Sequence, residues 1–179
     1  MTRPDLQSTV HPCRPSFKKV LFLDFDGVLH PEICDASRFF CFAANLARVL
    51  ESVDSEGRLP VVVSSAWRLT TELDALRQLL GHTIARRVVG VTPDIYSAPA
   101  DPSDPESPRA AASGARQREV EAWMGSHAKD GSWLAIDDQR GWFAPDCPNL
   151  FCTSRQGVSV GLDEAFATDL HKRLTSFLR

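Results

Sequence analysis

Residues Val20–His30 read VLFLDFDGVLH, a run of large apolar side chains that ends in two acids and a glycine. The run predicts a strand over Val20–Phe25 that lies inside a parallel sheet and is buried on both faces. Asp24 and Asp26 come where this strand ends, so both carboxylates can reach one site as the chain leaves the sheet. Gly27 permits a tight turn and a close approach of the backbone at the same place.

The rest of the chain alternates similar apolar runs with amphipathic helical patterns. Four further strands and four helices are predicted from the spacing of the apolar residues. The strands are expected at 61–63, 87–91, 133–136 and 150–152, and the helices at 42–53, 69–80, 116–125 and 163–178. Strands that alternate with helices favour a single α/β domain, in which a parallel sheet of about five strands is covered by helices on both faces.

Polar side chains cluster where three of the predicted strands end. Asp24 and Asp26 follow the first, Ser64–Ser65 the second, and Asp137–Asp138 the fourth. The carboxyl ends of parallel strands form the ligand site in folds of this class. Carboxylates this close repel each other unless a cation lies between them, and Mg²⁺ prefers oxygen ligands. Acids on separate strands with a metal between them suit phosphoryl transfer.

The residue types at these strand ends suggest distinct chemical roles. Asp24 could attack phosphorus and form an aspartyl-phosphate, and Asp26 could protonate the leaving oxygen and then activate water. Ser64 and Ser65 offer hydroxyl groups for phosphate oxygens. Arg116 supplies positive charge, because in a helix it shares the sheet-facing stripe with the apolar residues four and seven positions later.

Several segments, in this order, resemble motifs of the haloacid dehalogenase (HAD) superfamily. FLDFDGVLH (22–30) resembles the first motif, VVVSSAWR (61–68) the second and WLAIDD (133–138) the fourth. With the Arg-x-x-Glu-Val-x-x-Trp helix that starts at Arg116, they resemble more narrowly the small HAD domain of RNA-repair (Swiss Army Knife) proteins. The resemblance extends from about Phe17 to the C-terminus.

The resemblance implies a three-layer Rossmann-like fold with a minimal cap or none, and a magnesium-dependent phosphatase. It makes Asp24 the nucleophile and Asp26 the acid and base. Mg²⁺ would be held by the Asp24 side chain, the Asp26 carbonyl oxygen and an acid of the fourth motif, with Asp138 the direct ligand and Asp137 supporting it. The usual third motif is a lysine, and here Arg116 takes its place, which keeps the charge and allows bidentate binding of phosphate.

The composition is that of an ordinary globular domain. With 43% hydrophobic and 24% charged residues and a net charge of −3, it gives no global sign of a nucleic-acid-binding face. Residues 1–16 lack the apolar core of a signal peptide and no run is long enough to cross a bilayer, so we expect a disordered leader on a cytoplasmic protein. Residues 17–179 are expected to form one domain, with a long Pro-rich loop at 92–114.

Several features near the motifs keep more than one interpretation. Arg68 could contact substrate or lie at the surface, and His30 could line the pocket or serve a structural role. The phosphorylated substrate could be a small molecule or a nucleic-acid end, and the latter predicts a basic patch of Arg68, Arg116, Arg118 and Arg140. A third hypothesis is a catalytically inactive module that binds magnesium or phosphate. Neither a membrane nor an obligate protein partner is indicated.

Overall fold

The structure, a computed structural model, describes residues 17–95 and 114–179. Strands and helices alternate along most of this length, joined by short 3-10 turns at Ala36–Arg38, Ala66–Leu69 and Arg140–Trp142. The elements are β1 (Lys19–Leu23), α1 (Ala43–Val53), β2 (Val61–Val63), α2 (Leu73–Leu79), α3 (Gly81–Ala85), β3 (Val88–Val91), α4 (Ala115–His127), β4 (Ser132–Asp137), β5 (Leu150–Cys152), β6 (Ser154–Arg155), β7 (Val158–Ser159) and α5 (Glu164–Leu178).

Five parallel strands form the central sheet, in the order β3-β2-β1-β4-β5. β1 lies in the middle, where Leu21 pairs with Val61 of β2 on one side and with Leu134 of β4 on the other. The chain runs outward from β1 to β3 and then crosses to the other side of β1 to form β4 and β5. The strand order therefore reverses between β1 and β4, and open α/β sheets bind their ligands in the crevice that such a reversal creates.

Side chains of β1 contribute to a separate core on each side of the sheet. Leu21 and Leu23 pack with apolar residues of α1, α2, α3 and α5, whereas Val20 and Phe22 pack with those of α4. All four side chains are fully buried, which explains why the strand reads as a continuous apolar run without alternation. Helices on both faces of a parallel sheet confirm the predicted three-layer α/β fold.

The structure differs from the sequence predictions in four segments, one of which is the short helix α3 (Gly81–Ala85), which is not predicted. β1 ends at Leu23, two residues before its predicted end at Phe25. The predicted helix at 69–80 is wrong in its first turn, because a 3-10 turn ends at Leu69 and α2 starts only at Leu73. The antiparallel pair β6 and β7 is not predicted, because strands of two residues are too short to show a periodic pattern.

The connection from β1 to α1, residues 24–42, is short and contains one 3-10 turn, Ala36–Arg38. It places no cap domain over the carboxyl end of the sheet. The predicted leader (1–16) and, within the predicted loop 92–114, residues 96–113 lie outside the described residues. In the part of the chain that the structure describes, no helix has both the length and the apolar character needed to cross a bilayer.

Candidate active site

The end of β1 brings Asp24 to the point where the strand order reverses. Its N–H donates to the Ile136 carbonyl oxygen of β4 at 3.1 Å, which continues the ladder and fixes the backbone beside β4. Its carboxylate accepts hydrogen bonds from the Phe25 N–H and the Ser65 hydroxyl, and the residue is 4% exposed. Asp24 is therefore a buried acid with a defined orientation.

Gly27 allows the turn after β1 to pass close to the acids that follow β4. Its φ is +66°, in the region that residues with a side chain rarely adopt. A Cβ atom at this position would lie 2.3 Å from Asp138 Oδ2. The Thr153 hydroxyl donates to the Gly27 carbonyl oxygen at 2.8 Å and holds the turn against the end of β5. The glycine is required because Asp138 occupies the space that a side chain would fill.

Three buried carboxylates meet at this edge of the sheet. Asp24, Asp137 and Asp138 offer oxygens that all lie within 4.8 Å of one another. Burial raises the pKa of Asp24 to about 6, and it also raises the pKa values of Asp137 and Asp138. Raised values mean that the negative charges are incompletely compensated within the fold. Among the described residues, no group donates a hydrogen bond to the buried Asp137 Oδ2, so these acids fit the oxygen-ligand set of Mg²⁺.

Arg116, in the first turn of α4, faces the carboxylate cluster with its guanidinium. Nη2 lies 4.0 Å from Asp24 Oδ1, and Nε lies 3.6 Å from Asp137 Oδ2. The Trp142 ring packs against the guanidinium, whose central carbon is 4.9 Å from the ring centroid. Nη1 is buried and has no hydrogen-bond acceptor within the described residues. The structure thus brings Arg116 to the cluster, as the helix periodicity predicts.

The end of β2 contributes two buried serines with different contacts. The Ser64 N–H continues the ladder by donating to the Leu23 carbonyl oxygen at 2.9 Å. The Ser65 hydroxyl donates to Asp24 and accepts a hydrogen bond from the Trp67 N–H. Of the two predicted phosphate-binding serines, Ser65 is therefore the one whose hydroxyl contacts the candidate nucleophile.

Arg68 forms a link between three elements beside the site. Its Nη1 donates to the carbonyl oxygens of Ser64 and Ser65, and its Nε to the Thr92 carbonyl oxygen. Its Nη2 donates to Glu119 at 2.5 Å, and the side chain is 5% exposed. Since all three nitrogens have acceptors, Arg68 ties the ends of β2 and β3 to α4. This geometry gives no support to the predicted substrate contact of Arg68.

Asp26 lies two residues beyond Asp24, with a side chain that is 42% exposed. Its oxygens accept hydrogen bonds from His30 Nε2 at 3.1 Å and from Trp67 Nε1 at 3.0 Å. His30 is buried, so its contact in the site is with Asp26, and its predicted role in touching substrate stays a prediction.

The two acids that end β4 are held by different partners. Asp137 Oδ1 accepts a hydrogen bond from the Gln139 N–H at 2.8 Å. Asp138 Oδ2 accepts hydrogen bonds from the Gln139 side-chain amide and from the Ser159 hydroxyl of β7. Sequence reasoning missed Ser159. The available signal was Gln156–Gly157, a pair with positive φ that is typical of a two-residue hairpin turn.

Glu119 is a second residue that sequence reasoning missed. It is 5% exposed, and burial raises its pKa. One carboxylate oxygen lies 4.0 Å from Arg116 Nη1 and the other pairs with Arg68. Its position three residues after Arg116 places it on the same face of α4, which was the signal that could have found it.

The four arginines of the predicted basic patch have different surroundings. Arg68 and Arg116 are buried beside acids, and Arg118 lines a separate pocket with Gln117 and other residues. Arg140 is exposed in the turn after β4. The four side chains do not form one continuous basic surface.

One family model matches most of the chain, including all of the motifs described above. Residues 20–165 match the family model described as the HAD domain in Swiss Army Knife RNA repair proteins. The match runs from β1 into α5 and includes the ends of β1, β2 and β4 and the start of α4. No curated protein and no solved structure is significantly similar to the chain.

Proposed function

The chain belongs to the family of HAD domains in Swiss Army Knife RNA repair proteins, and from that premise we propose that it is a magnesium-dependent phosphate monoester hydrolase that forms an aspartyl-phosphate. The observation that carries the proposal is the buried cluster of Asp24, Asp137 and Asp138, with Arg116 4.0 Å from Asp24. Carboxylates gathered beside a fixed guanidinium suit a site that binds a divalent cation and a phosphate group together.

Asp24 is the proposed nucleophile. The Phe25 N–H and the Ser65 hydroxyl lower the pKa of its carboxyl group against the burial that raises it, which favours the ionised form that attacks phosphorus. In the first step a bond forms between an Asp24 oxygen and phosphorus while the bond from phosphorus to the leaving oxygen breaks. Asp26 donates a proton to that oxygen, and an alcohol departs.

Water then completes the cycle. Asp26, now a carboxylate, accepts a proton from the water whose oxygen attacks phosphorus, and the bond between phosphorus and Asp24 breaks. Inorganic phosphate leaves, and both acids return to their starting states. The 42% exposure of the Asp26 side chain supports this role, because water and a leaving group can reach it while Asp24 stays buried.

Mg²⁺ would be held by the side chains of Asp24 and Asp138 and by the carbonyl oxygen of Asp26, with Asp137 supporting. When bound, the ion supplies positive charge that offsets the charges on phosphate and carboxylate. The raised pKa values of the three buried acids support this assignment, because their ionised forms need more positive charge than the fold provides.

Arg116 and Ser64 would bind the phosphate oxygens. The guanidinium of Arg116, whose Nη2 lies 4.0 Å from Asp24 Oδ1, can donate to one oxygen in a charge-assisted hydrogen bond. Ser64 offers its hydroxyl group as a neutral donor, whereas the single hydroxyl hydrogen of Ser65 is directed to Asp24.

Phosphate release from an aryl phosphate, measured with Mg²⁺ and with EDTA, tests the proposed function. We expect turnover that requires Mg²⁺ and is abolished by Asp24→Asn, and beryllofluoride should bind the wild type but not this variant. Unchanged activity in Asp24→Asn would refute the nucleophile assignment. Magnesium binding without turnover and without beryllofluoride trapping would identify an inactive binding module.

The family match suggests a second candidate substrate, the terminal phosphate of a nucleic acid, because the family is described from RNA repair proteins. The basic patch expected for such a substrate is not formed by its four predicted arginines, so recognition would depend on the phosphate itself. Within the described residues, the connection at 24–42 inserts no cap domain between β1 and α1, which suits a large substrate. A comparison of phosphate-ended RNA and DNA oligonucleotides with an aryl phosphate tests this candidate. It requires a higher kcat/KM for at least one oligonucleotide, and equal values would exclude it.

A further inference from the structure

Both carboxylate oxygens of Asp26 are tied to aromatic N–H donors. His30 Nε2 lies 3.1 Å from Oδ1, and the Trp67 indole N–H donates to Oδ2 at 3.0 Å. His30 belongs to the turn after β1, and Trp67 to the 3-10 turn after β2. One bond to each oxygen fixes the plane of a carboxyl group that is otherwise 42% exposed.

The surroundings of His30 make it a hydrogen-bond donor toward Asp26. The Phe40 N–H donates to Nδ1 at 3.4 Å, so in this geometry Nδ1 carries no hydrogen and Nε2 carries the one that faces Asp26. His30 is 1% exposed, and the rings of Phe39, Phe40 and Trp67 have centroids 5.0, 5.4 and 6.0 Å from its own. Phe40 maintains its contact with a φ of +60°, which is rare for a bulky residue.

We infer that His30 and Trp67 are positioning residues for proton transfer by Asp26. The inference rests on the proposed function, because that function gives Asp26 its roles as acid and base. Each carboxyl oxygen keeps a lone pair beyond the one that accepts its hydrogen bond, so a proton can be held on the side that faces the leaving group. When that proton leaves, the two N–H groups stabilise the carboxylate that forms.

Leaving groups of different basicity separate this role from a merely structural one. A phenolate is basic and needs the proton from Asp26 as its bond to phosphorus breaks, whereas 2,4-dinitrophenolate is a weak base and departs without it. Loss of a donor to Asp26 should therefore slow hydrolysis of phenyl phosphate selectively. Damage to the pocket as a whole would slow hydrolysis of both esters alike.

The test measures kcat/KM of the full chain with Mg²⁺ for phenyl phosphate and 2,4-dinitrophenyl phosphate. His30→Leu places an apolar side chain of moderate volume at this position and removes the donor, while His30→Gln supplies an amide N–H in its place. Trp67→Phe keeps an aromatic ring and removes the indole N–H. For His30→Leu and Trp67→Phe we expect a loss of about tenfold or more with phenyl phosphate and less than about twofold with the dinitrophenyl ester. His30→Gln should recover most of the loss.

Two reference variants keep the inference separate from the proposed function. Asp24→Asn must be inactive on both esters, and if it is active the proposed function fails. Among these variants, Asp26→Asn must show the largest loss of kcat/KM for phenyl phosphate relative to the dinitrophenyl ester. The positioning role is overturned if Asp24→Asn is inactive but the kcat/KM of His30→Leu falls equally for both esters or does not fall at all. It is also overturned if His30→Gln does not recover the kcat/KM for phenyl phosphate. Thermal denaturation identifies variants that fold, and if Trp67→Phe does not, the two His30 variants decide the outcome.

Discussion

Replacing Asp24 by asparagine is expected to make the metal-free protein more stable at neutral and alkaline pH. Asparagine keeps the shape of the side chain and one acceptor oxygen, but it removes a charge that lies beside Asp137 and Asp138. Burial is the main cause that raises the pKa of Asp24 to about 6, and Arg116 offsets only part of it. The folded protein therefore binds the Asp24 proton more tightly than the unfolded chain does.

The size and pH dependence of this effect follow from the pKa of Asp24. A rise from 3.8 to about 6 corresponds to about 3 kcal/mol, since one pKa unit is about 1.36 kcal/mol. Above about pH 6 Asp24 is ionised in both states, and the folded state bears the full penalty. Between about pH 6 and pH 4 the folded carboxyl takes up its proton first, so the penalty disappears as the pH falls. The advantage of Asp24→Asn should be about 3 kcal/mol at pH 8 and near zero at pH 4.

Urea unfolding of the wild type and Asp24→Asn in EDTA, at pH 8 and at pH 4, measures this difference. Asp26→Asn is the matched control: its carboxyl is 42% exposed and accepts hydrogen bonds from His30 and Trp67, so its replacement should give no gain. Mg²⁺ at pH 8 should reduce the advantage of Asp24→Asn, because the ion stabilises only a folded state that binds it. An Asp24→Asn protein no more stable than the wild type at pH 8 in EDTA would refute the electrostatic reasoning.

Three further substitutions probe the site and the fold. Gly27→Ala should lower the unfolding free energy by roughly 1–3 kcal/mol and impair turnover, because its Cβ would lie 2.3 Å from Asp138 Oδ2. A urea unfolding curve identical to that of the wild type would contradict this prediction. Arg116→Met should lower kcat by about 10²–10³ while Arg116→Lys keeps part of it, and equal kcat values for the two variants would count against a charge role. Arg87→Met should lower the unfolding free energy by about 3 kcal/mol, because Arg87 is fully buried and donates to carbonyl groups at the ends of α1 and α3. Circular dichroism on heating tests this prediction, and an unchanged melting temperature would argue against it.

Short apolar runs are the part of the fold that the sequence predicts best. Val61–Val63, a buried inner strand, and Leu150–Cys152, a partly buried edge strand, are predicted and observed with the same bounds, because both are apolar runs bounded by turn residues. The helix at 69–80 is predicted too long because leucines at helical spacing do not reveal a turn. Leu69 belongs to the 3-10 turn that starts after Ser65, and it is half exposed.

The site residues were predictable where topology alone brings them together. Asp24 and the acids of β4 meet because adjacent parallel strands end at the same edge of the sheet. The partners of these acids were not predictable in the same way. Trp67 reaches Asp26 across 41 positions of sequence, and Ser159 reaches Asp138 across 21. Such contacts depend on how two turns approach each other in space, and no local periodicity encodes that distance.

The surroundings of Arg116 favour an arginine over the lysine that the resemblance to the HAD superfamily implies at this position. Its guanidinium lies within 4.0 Å of carboxylate oxygens of Asp24, Asp137 and Glu119, and a planar fork of donors can serve several acids where the ammonium of lysine is one point charge. Glu119 in turn pairs with Arg68 at 2.5 Å, and Arg68 binds carbonyl oxygens at the ends of β2 and β3. The orientation of the charge beside the nucleophile is therefore coupled to the strand ends that shape the site. A lysine at position 116 would keep the charge, but its single ammonium group could not contact all of these acids at once.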